Sequence, residues 1–599
     1  MIRRLRAAEE GVAAAVLLGT ALLPLLEIAG RRLWGSGVPG SGPFVQHATL
    51  WVGFLGAALA ARDGRLLSLA TATFLPEGRM RRAAEVASGA TAAAVATLLA
   101  LGAFTLVEIT REAGTVVAVG VRAWVLQLVL PAGFVAIALR SVWRAGGPGE
   151  RVLASLGIGL GAAAWWGAPA LEGAPAWLGF AVLLPCAALG APLFALIGGL
   201  AAWLFLCDGV TPATILVETY ALSVSPTLPA IPLFTLAGIA LAEGRSSERL
   251  LAVFRACFGW LPGGSAVVCA MACTLFTALT GGSGVTIVAL GGLLLPALLR
   301  DGYRERFSLG LLTASGSLGI LLPPALPLIV YAVVAEIPIE DLFVGGLLPG
   351  ALMTTLVAAY GVRQGLVSHV ARQPFRLDEA WRALWRAKWE LALPVLVLVA
   401  LLGGFATAVE ASALAAAYAL AVQLFVHREL HLRRDLVRVA AQCVTLIGSI
   451  LLILGVAVGL TGYLVNAEIP AALLDWTREH VSSPAAFLLA LNLFLLVVGC
   501  LMDVFSATVV VVPLIVPLAA HYGVDPVHLG ILFLANLELG YLTPPVGLNL
   551  FLAAQRFDRP VLSITRATLP LFAVLAVGVL LITYIPTLTT GLLTLLVER

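Results

Sequence analysis

Apolar runs of about the ~20 residues that a membrane-spanning helix requires recur from Gly11 to Leu596, separated by short polar clusters. None shows the strict alternation of a barrel strand. Helices, whose backbone bonds close internally, are therefore the spanning element, and the chain is predicted to be an all-α polytopic membrane protein. Four spans come first, at about 10–29, 46–61, 84–108 and 122–140, and the turn-rich Ala145–Gly149 closes a small unit of residues 1–150. Residues 151–174 form a connector in which Leu153–Ala168 reads as a single span, and a larger unit occupies 175–599. Trp177–Leu206 is long enough for one or two spans, and the pattern leaves that choice open.

Two apolar segments of the larger unit are each interrupted by a polar, glycine-rich tip. The first, Ser265–Leu299, breaks at Thr280–Gly284. Arg249 and Arg255 precede it and Arg300, Arg304 and Arg306 follow it, so both ends are expected in the cytoplasm and the segment is a re-entrant hairpin. The second, Ala485–Ala520, breaks at Gly499–Asp503; no Arg or Lys occurs between Arg478 and Arg556, so its ends are expected outside. Each hairpin is followed by a helix broken in its middle, at Ser315–Pro324 and Glu538–Gly547. An offset of 221 residues pairs Pro296 with Pro517, Gly302 with Gly523, Gly319 with Gly540, and Pro323-Pro324 with Pro544-Pro545. Matched breakers in hairpins entering from opposite faces describe an inverted-topology repeat, with a transport site between the broken helices at the midplane.

Composition agrees with lipid as the solvent. Sixty per cent of the 599 residues are hydrophobic, 12% are charged and the mean hydropathy is +1.02, against about 25% charged in soluble chains. The net charge is +3, but the basic residues sit in clusters between spans, which sets orientation and implies no nucleic-acid partner. Around the first four spans, Arg3, Arg4, Arg6, Arg62, Arg65, Arg79, Arg81, Arg82, Arg140, Arg144 and Arg151 outnumber Arg31, Arg32, Arg111 and Arg122, which puts the N-terminus inside and the C-terminus, Val597–Arg599, outside. Seven scattered cysteines form no Cys-x-x-Cys, and the pair His427/His431 in HRELH lacks the HExxH pattern, so no metal centre or disulfide framework is expected. GSGVPG at Gly35–Gly40 follows a membrane helix instead of a strand and reads as an external turn.

The breaks carry the chemistry. An unwound membrane helix leaves N–H and C=O groups that cost several kcal/mol each unless a ligand, ion or side chain satisfies them. Half-helix N-termini at the hairpin tips suit an anion, while carbonyls and hydroxyls can replace the water shell of sodium. The candidate substrate and ion site comprises Gly282, Ser283 and Gly284 at the first tip; Ser315, Ser317, Gly319, Pro323 and Pro324 at the first break; Asp503 and Ser506 at the second tip; and Glu538, Gly540, Thr543, Pro544, Pro545, Gly547 and Asn549 at the second break. Glu410, the one charged residue between Glu390 and Arg428, joins them. Glu410, Asp503 and Glu538 are candidate cation or proton sites because a charge near the bilayer centre costs ~2.5–3.5 kcal/mol. Glu410 and Asp503 equally suit helix capping.

These stretches resemble the TRAP (tripartite ATP-independent periplasmic) transporters, with a small DctQ-like and a large DctM-like subunit joined in one chain. The resemblance rests on LPAIPLFTLAG (Leu228–Gly238), the first hairpin through GSLGILLPPALPLIVYAVV, GGFATAVEASALAAAYAL (Gly403–Leu420), GCLMDVFSATVVVVPLIVPLA (Gly499–Ala519) and LTPPVGLNLF (Leu542–Phe551); in the small unit it rests on helix spacing, Leu50–Leu69 and the Arg-rich exit Arg140–Arg151. It implies an elevator-type transport domain, a sodium gradient as energy source, no cofactor beyond sodium, and a periplasmic solute-binding protein as partner. The expected function is sodium-coupled uptake of a small organic anion, such as a carboxylate, across a bacterial inner membrane. The alternatives are a stand-alone carrier of the divalent-anion type and a membrane scaffold subunit. The chain departs from the family pattern at GGSGVTIVALG, at ATAVE and at Glu538, all within the candidate site.

The repeat makes a topological prediction. Cysteines introduced singly at positions 4, 304 and 523 of a cysteine-free chain should be labelled by an impermeant reagent from outside at 523 alone; external labelling at 304, or none at 523, overturns the inversion.

Overall fold

Backbone groups facing lipid have no water to bond, and the chain answers with helices almost throughout. The computed structural model describes residues 2–68, 78–370, 374–432, 434–481, 483–544 and 547–597. Among these, 11 helices are long and apolar enough to cross a bilayer, or 12 if one bent pair is counted as a span. The four expected spans are α1 (Ile2–Trp34), α2 (Ser41–Asp63), α3 (Arg79–Ala113) and the short α4 (Ala123–Gln127) running into α5 (Val129–Arg144). The connector is α6 (Pro148–Trp166) with the single turn α7 (Ala168–Leu171). Its Gly157 and Gly161, one turn apart, lie against the carbonyls of Ala90 and Ala94 on α3, a small-xxx-small crossing that lets two backbones meet. Trp177–Leu206 resolves into two helices, α8 (Trp177–Ala188) and α9 (Leu193–Cys207). Gly179 at the start of α8 lies against Trp203 near the end of α9, so the pair is antiparallel. At 1.5 Å per residue each is about 18–22 Å long, short of the ~30 Å hydrocarbon core. The short α10 (Ala213–Ser223) follows.

Next come α11 (Ala230–Glu243) and α12 (Ser246–Phe258), then the first hairpin, α13 (Gly264–Thr280) and α14 (Ser283–Arg300). The first broken helix is α15 (Glu305–Ser315), a 3-10 turn at Leu318–Leu321, and α16 (Leu326–Ala335). After it run α17 (Ile339–Val367), α18 (Leu377–Arg386), α19 (Lys388–Leu402), α20 (Ala408–Ala421), α21 (Asp435–Asn466) and α22 (Ile469–His480). The second hairpin is α23 (Pro484–Leu501) and α24 (Val504–His521); the second broken helix is α25 (Pro526–Gly540) and α26 (Leu548–Phe557); α27 (Val561–Tyr584) and α28 (Thr587–Val597) close the chain.

The 221-residue repeat holds element by element. Adding 221 to Ser283–Arg300 gives 504–521, the bounds of α24; Gly264–Thr280 becomes 485–501 against Pro484–Leu501; Leu326–Ala335 becomes 547–556 against Leu548–Phe557; and Ile339–Val367 becomes 560–588 against Val561–Tyr584. Packing is reciprocal: α14 lies on α26 while α24 lies on α16, and α15 lies on α27 while α25 lies on α17. Reciprocal contacts are what a two-fold relation between the halves requires.

Helices group into two compact units, Met1–Leu233 with Arg433–Ala472, and Phe234–Leu432 with Leu473–Arg599. These cut across the boundaries read from sequence, because packing follows helix faces and not chain order. In the first unit α21 runs beside α2, α9 and α10. Gly56 and Gly448 bring α2 and α21 into backbone contact, while Gly455 and Gly459 of α21 admit Thr219 and Ile215 of α10. Without the hydrophobic drive that water provides, such close van der Waals crossings hold membrane helices together.

The crossing can be tested by two glycine-to-alanine changes of opposite sign. A Cβ at Gly448 would strike the Gly56 backbone, so Gly448→Ala should destabilise by about 1–3 kcal/mol and lower the melting midpoint in detergent. Gly42, on α2 with open space around it, should become slightly more stable as Ala, by about 0.5–1 kcal/mol.

Candidate transport site

The first tip turns at Gly281, whose φ of 70° favours glycine, and a Cβ there would come within 2.7 Å of Leu326. Gly282 takes the N-cap position of α14 and supplies no side-chain cap; Ser283 and Gly284 form the first turn. Beside them α15 ends at Ser315, and the chain passes through Gly316 and Ser317 into the 3-10 turn containing Gly319, then Pro323 and Pro324. The unwound segment is tied to the hairpin by Thr277: its Oγ1 donates to the Gly316 carbonyl at 2.8 Å and lies 2.6 Å from Thr286 Oγ1, so a single hydroxyl joins both hairpin arms to the break. Gly319 makes this approach possible, since a Cβ would strike the Thr274 carbonyl.

The second half solves the same problem with other atoms. Gly540, the partner of Gly319, allows α25 to meet Gly499 of α23, with Gly499 Cα 2.6 Å from where a Cβ would stand. The Gly547 amide donates to the Cys500 carbonyl at 3.2 Å, and the Tyr541 hydroxyl accepts from the Val504 amide at 2.7 Å. Asp503 is the N-cap of α24: Oδ1 accepts from the amides of Phe505 and Ser506 at 3.0 and 3.1 Å, and Oδ2 accepts from Ser506 Oγ at 2.5 Å. Thr543 donates to the Leu539 carbonyl at 3.1 Å and Pro544 is exposed. Pro545 lies outside the described residues, as do Glu598 and Arg599 of the expected external terminus.

The halves meet where Asn549, in the first turn of α26, donates to the Thr313 carbonyl at 3.3 Å. Ser283 and Gly284 on α14, Ser315 on α15 and Asn549 on α26 thus lie on three helices that pack together around an apolar cluster that includes Ile287, Leu309, Leu550 and Ile564. Several oxygens here are buried without a protein partner: Ser315 Oγ and Asn549 Oδ1 at the junction, and both carboxylate oxygens of Glu538 on α25. A buried ionised carboxylate with no donor requires a cation or a proton. Glu410 is placed elsewhere, on α20 packed against α19, where it closes a capping box: its Oε2 accepts from the Thr407 amide at 2.9 Å and its own amide donates to Thr407 Oγ1 at 3.3 Å. Among the described residues no group of three or more His, Cys, Asp or Glu converges on a metal position.

Two polar clusters went unnoticed in the sequence. Asn536, Asn492, Thr583, His528 and Thr589 form a buried chain across α25, α23, α27 and α28, with Asn536 Nδ2 2.6 Å from Asn492 Oδ1 and His528 Nδ1 2.9 Å from Thr589 Oγ1. Arg249 bridges two carboxylates, Glu390 and Glu429, at 2.6 Å each. Burial pushes the Glu429 carboxyl up, but the Arg249 guanidinium and the Arg245 amide outweigh it and hold it below the usual carboxylate range. Spacing gives no warning of these pairs; the one legible signal was a carboxylate, Glu390, entering an apolar helix.

The family model described as "Tripartite ATP-independent periplasmic transporter, DctM component" matches residues 178–588, and the corresponding DctQ component matches 20–146. The chain is 34% identical over 401 residues to the C4-dicarboxylate TRAP transporter large permease protein DctM of Pseudomonas aeruginosa, covering 66% of this chain and 92% of that one. It is 32% identical over 363 residues to the isethionate TRAP transporter permease protein DctMQ of Oleidesulfovibrio alaskensis, covering 60% and 56%. With the ectoine TRAP transporter large permease protein TeaC of Halomonas elongata it shares 29% over 415 residues, covering 68% and 94%.

Thr277→Val keeps the shape of the first tip and removes its hydroxyl. The Gly316 carbonyl and Thr286 hydroxyl lose their shared partner, so the variant should be destabilised by about 1–3 kcal/mol in thermal unfolding. An unchanged midpoint would show that the hydroxyl does not hold the break.

Proposed function

Since the chain belongs to the tripartite ATP-independent periplasmic transporter family, with both membrane components on one polypeptide, we propose that it is a sodium-coupled importer of a small organic anion delivered by a periplasmic solute-binding protein. It is a multi-pass inner-membrane permease and not an enzyme. The observation that carries the reading is the set of buried oxygens left without protein partners, Ser315 Oγ, Asn549 Oδ1 and the Glu538 carboxylate, on elements that are unwound or broken inside the membrane.

The two helix N-termini are unequal, and that asymmetry suggests a division of labour. The α14 N-terminus has no side-chain cap, so its amides and positive dipole end are open to a substrate carboxylate. The α24 N-terminus is already occupied by Asp503, whose negative charge repels an anion and favours a cation nearby. Sodium would take Ser315, Ser317, Asn549 and the freed carbonyls as ligands, with Glu538 as the charged partner on α25. Reciprocal packing of α14 on α26 and α24 on α16 supports movement of hairpins and broken helices as one body, in the manner of an elevator. The relatives named for C4-dicarboxylate, isethionate and ectoine differ in solute, and a carboxylate is the class this open N-terminus suits.

Uptake into liposomes containing the full chain tests this. Accumulation of a radiolabelled C4-dicarboxylate should need both an inward sodium gradient and a periplasmic binding protein encoded separately; equal uptake without the binding protein indicates a stand-alone carrier. Glu538→Gln should retain the fold and raise the sodium requirement, or shift the pH dependence, by roughly tenfold or more, since a charged-group interaction is worth about 1.5–3 kcal/mol. Unaltered uptake with unaltered ion dependence in a well-folded Glu538→Gln protein removes Glu538 from the site.

A further inference from the structure

Outside the hairpins, a concavity that the transport reading leaves unused runs along α18 and α19. It measures about 790 Å3, within the ~300–1,000 Å3 of small-ligand sites. One end is formed by Trp381, Trp385 and Lys388, the length by Leu391, Val395 and Val399 at successive turns of α19, and the far end by Phe405, whose ring folds back on Gly403. Lys388 is the one charged residue in the wall. Its ammonium stands 3.6 Å from the centre of the Trp385 ring and 5.2 Å from that of Trp389, with no carboxylate in ion-pair distance among the described residues.

The depth of this cation in the membrane follows from α18. Trp381, Leu384 and Trp385 share one face at i, i+3 and i+4, while Glu379, Arg382 and Arg386 line a separate groove against α12. A short helix with tryptophans on one side and arginines on the other lies at the membrane interface, and the basic residues of this segment assign it to the cytoplasmic leaflet. Arg382 is engaged with Asp378 at 2.5 Å and Arg376, the residue before α18, with Glu379 at 2.9 Å, whereas Lys388, the cation on the groove side, has no such acid. From that headgroup level the apolar strip descends along α19, which is about 22 Å long against a leaflet of about 15 Å. Val395 and Val399 are more than half exposed there.

We propose that this groove binds one anionic phospholipid of the cytoplasmic leaflet, its phosphate on Lys388 and an acyl chain along Leu391, Val395 and Val399. Charge complementarity selects the occupant: the wall offers one unpaired cation, no acid, and an apolar strip that could not satisfy the backbone of a peptide. The geometry does not involve the hairpins and stands apart from the transport reading.

Native mass spectrometry of the full chain, titrated with phosphatidylglycerol or with phosphatidylcholine of the same acyl chains, reads the site directly. One phosphatidylglycerol should bind about fivefold more tightly than phosphatidylcholine, the preference expected from one lysine near the headgroups. Lys388→Gln should erase that preference while leaving the melting midpoint unchanged. Val395→Trp, which fills the strip, should remove the tight site for both lipids, and inorganic phosphate should not compete. If Val395→Trp fails to fold, the Lys388→Gln comparison decides alone. Equal binding of the two lipids by the parent chain, a preference that survives Lys388→Gln, competition by inorganic phosphate, or a co-purified polypeptide in the groove would each overturn the proposal.

Discussion

A peptide group inside a bilayer needs a hydrogen-bond partner, and the carrier half of this molecule is organised around that requirement. Helix α15/α16 is unwound at buried positions and α25/α26 from the buried Tyr541 and Leu542 onward, which frees carbonyls and amides that helices would otherwise pair. Hairpin and break satisfy one another. Thr277 reaches Gly316, Tyr541 reaches Val504, and the Gly547 amide reaches Cys500. Each contact needs two backbones to approach closely, and Gly319 and Gly540 are the positions that allow it. A break without its hairpin would be unstable, so the two features occur together and twice.

The repeats share a skeleton and differ in chemistry. Position 317 is Ser and its counterpart 538 is Glu; position 282 is Gly and its counterpart 503 is Asp. One tip therefore presents an uncapped helix N-terminus and the other a capped one with a negative charge. Glu538 is buried with both oxygens unpartnered, and the cost of an unneutralised charge there falls on folding itself.

Elsewhere the molecule handles lipid in two further ways. Where helices cross, small residues bring backbones together, as at Gly157 and Gly161 of α6 against α3 and at Gly56 with Gly448. Away from the breaks a buried charge is paired: Glu390 is fully buried and meets the Arg249 guanidinium, which also holds Glu429. Pairing of this kind contributes little net stability but makes loss of one partner costly.

Spans, hairpins, breaks and the 221-residue repeat were legible in the sequence because each depends on local hydropathy, on breaker residues and on their spacing. The small unit, both tips and the matched glycines were visible for that reason, and so was the ambiguous character of Glu410 and Asp503, since a capping carboxylate and an ion ligand look alike in one dimension. Tertiary structure decided what depends on distant pairs. It divided Trp177–Leu206 into two antiparallel helices, joined α21 to α2, α9 and α10 across the sequence boundary, and placed Glu410 in a cap on α20. It also gave Thr277, an ordinary helix threonine 39 residues from Gly316, the bond that holds the first break. Hydropathy records how much of a residue avoids water, but not which backbone group it faces; in lipid, where every helix surface is apolar, that second fact belongs to the packing alone.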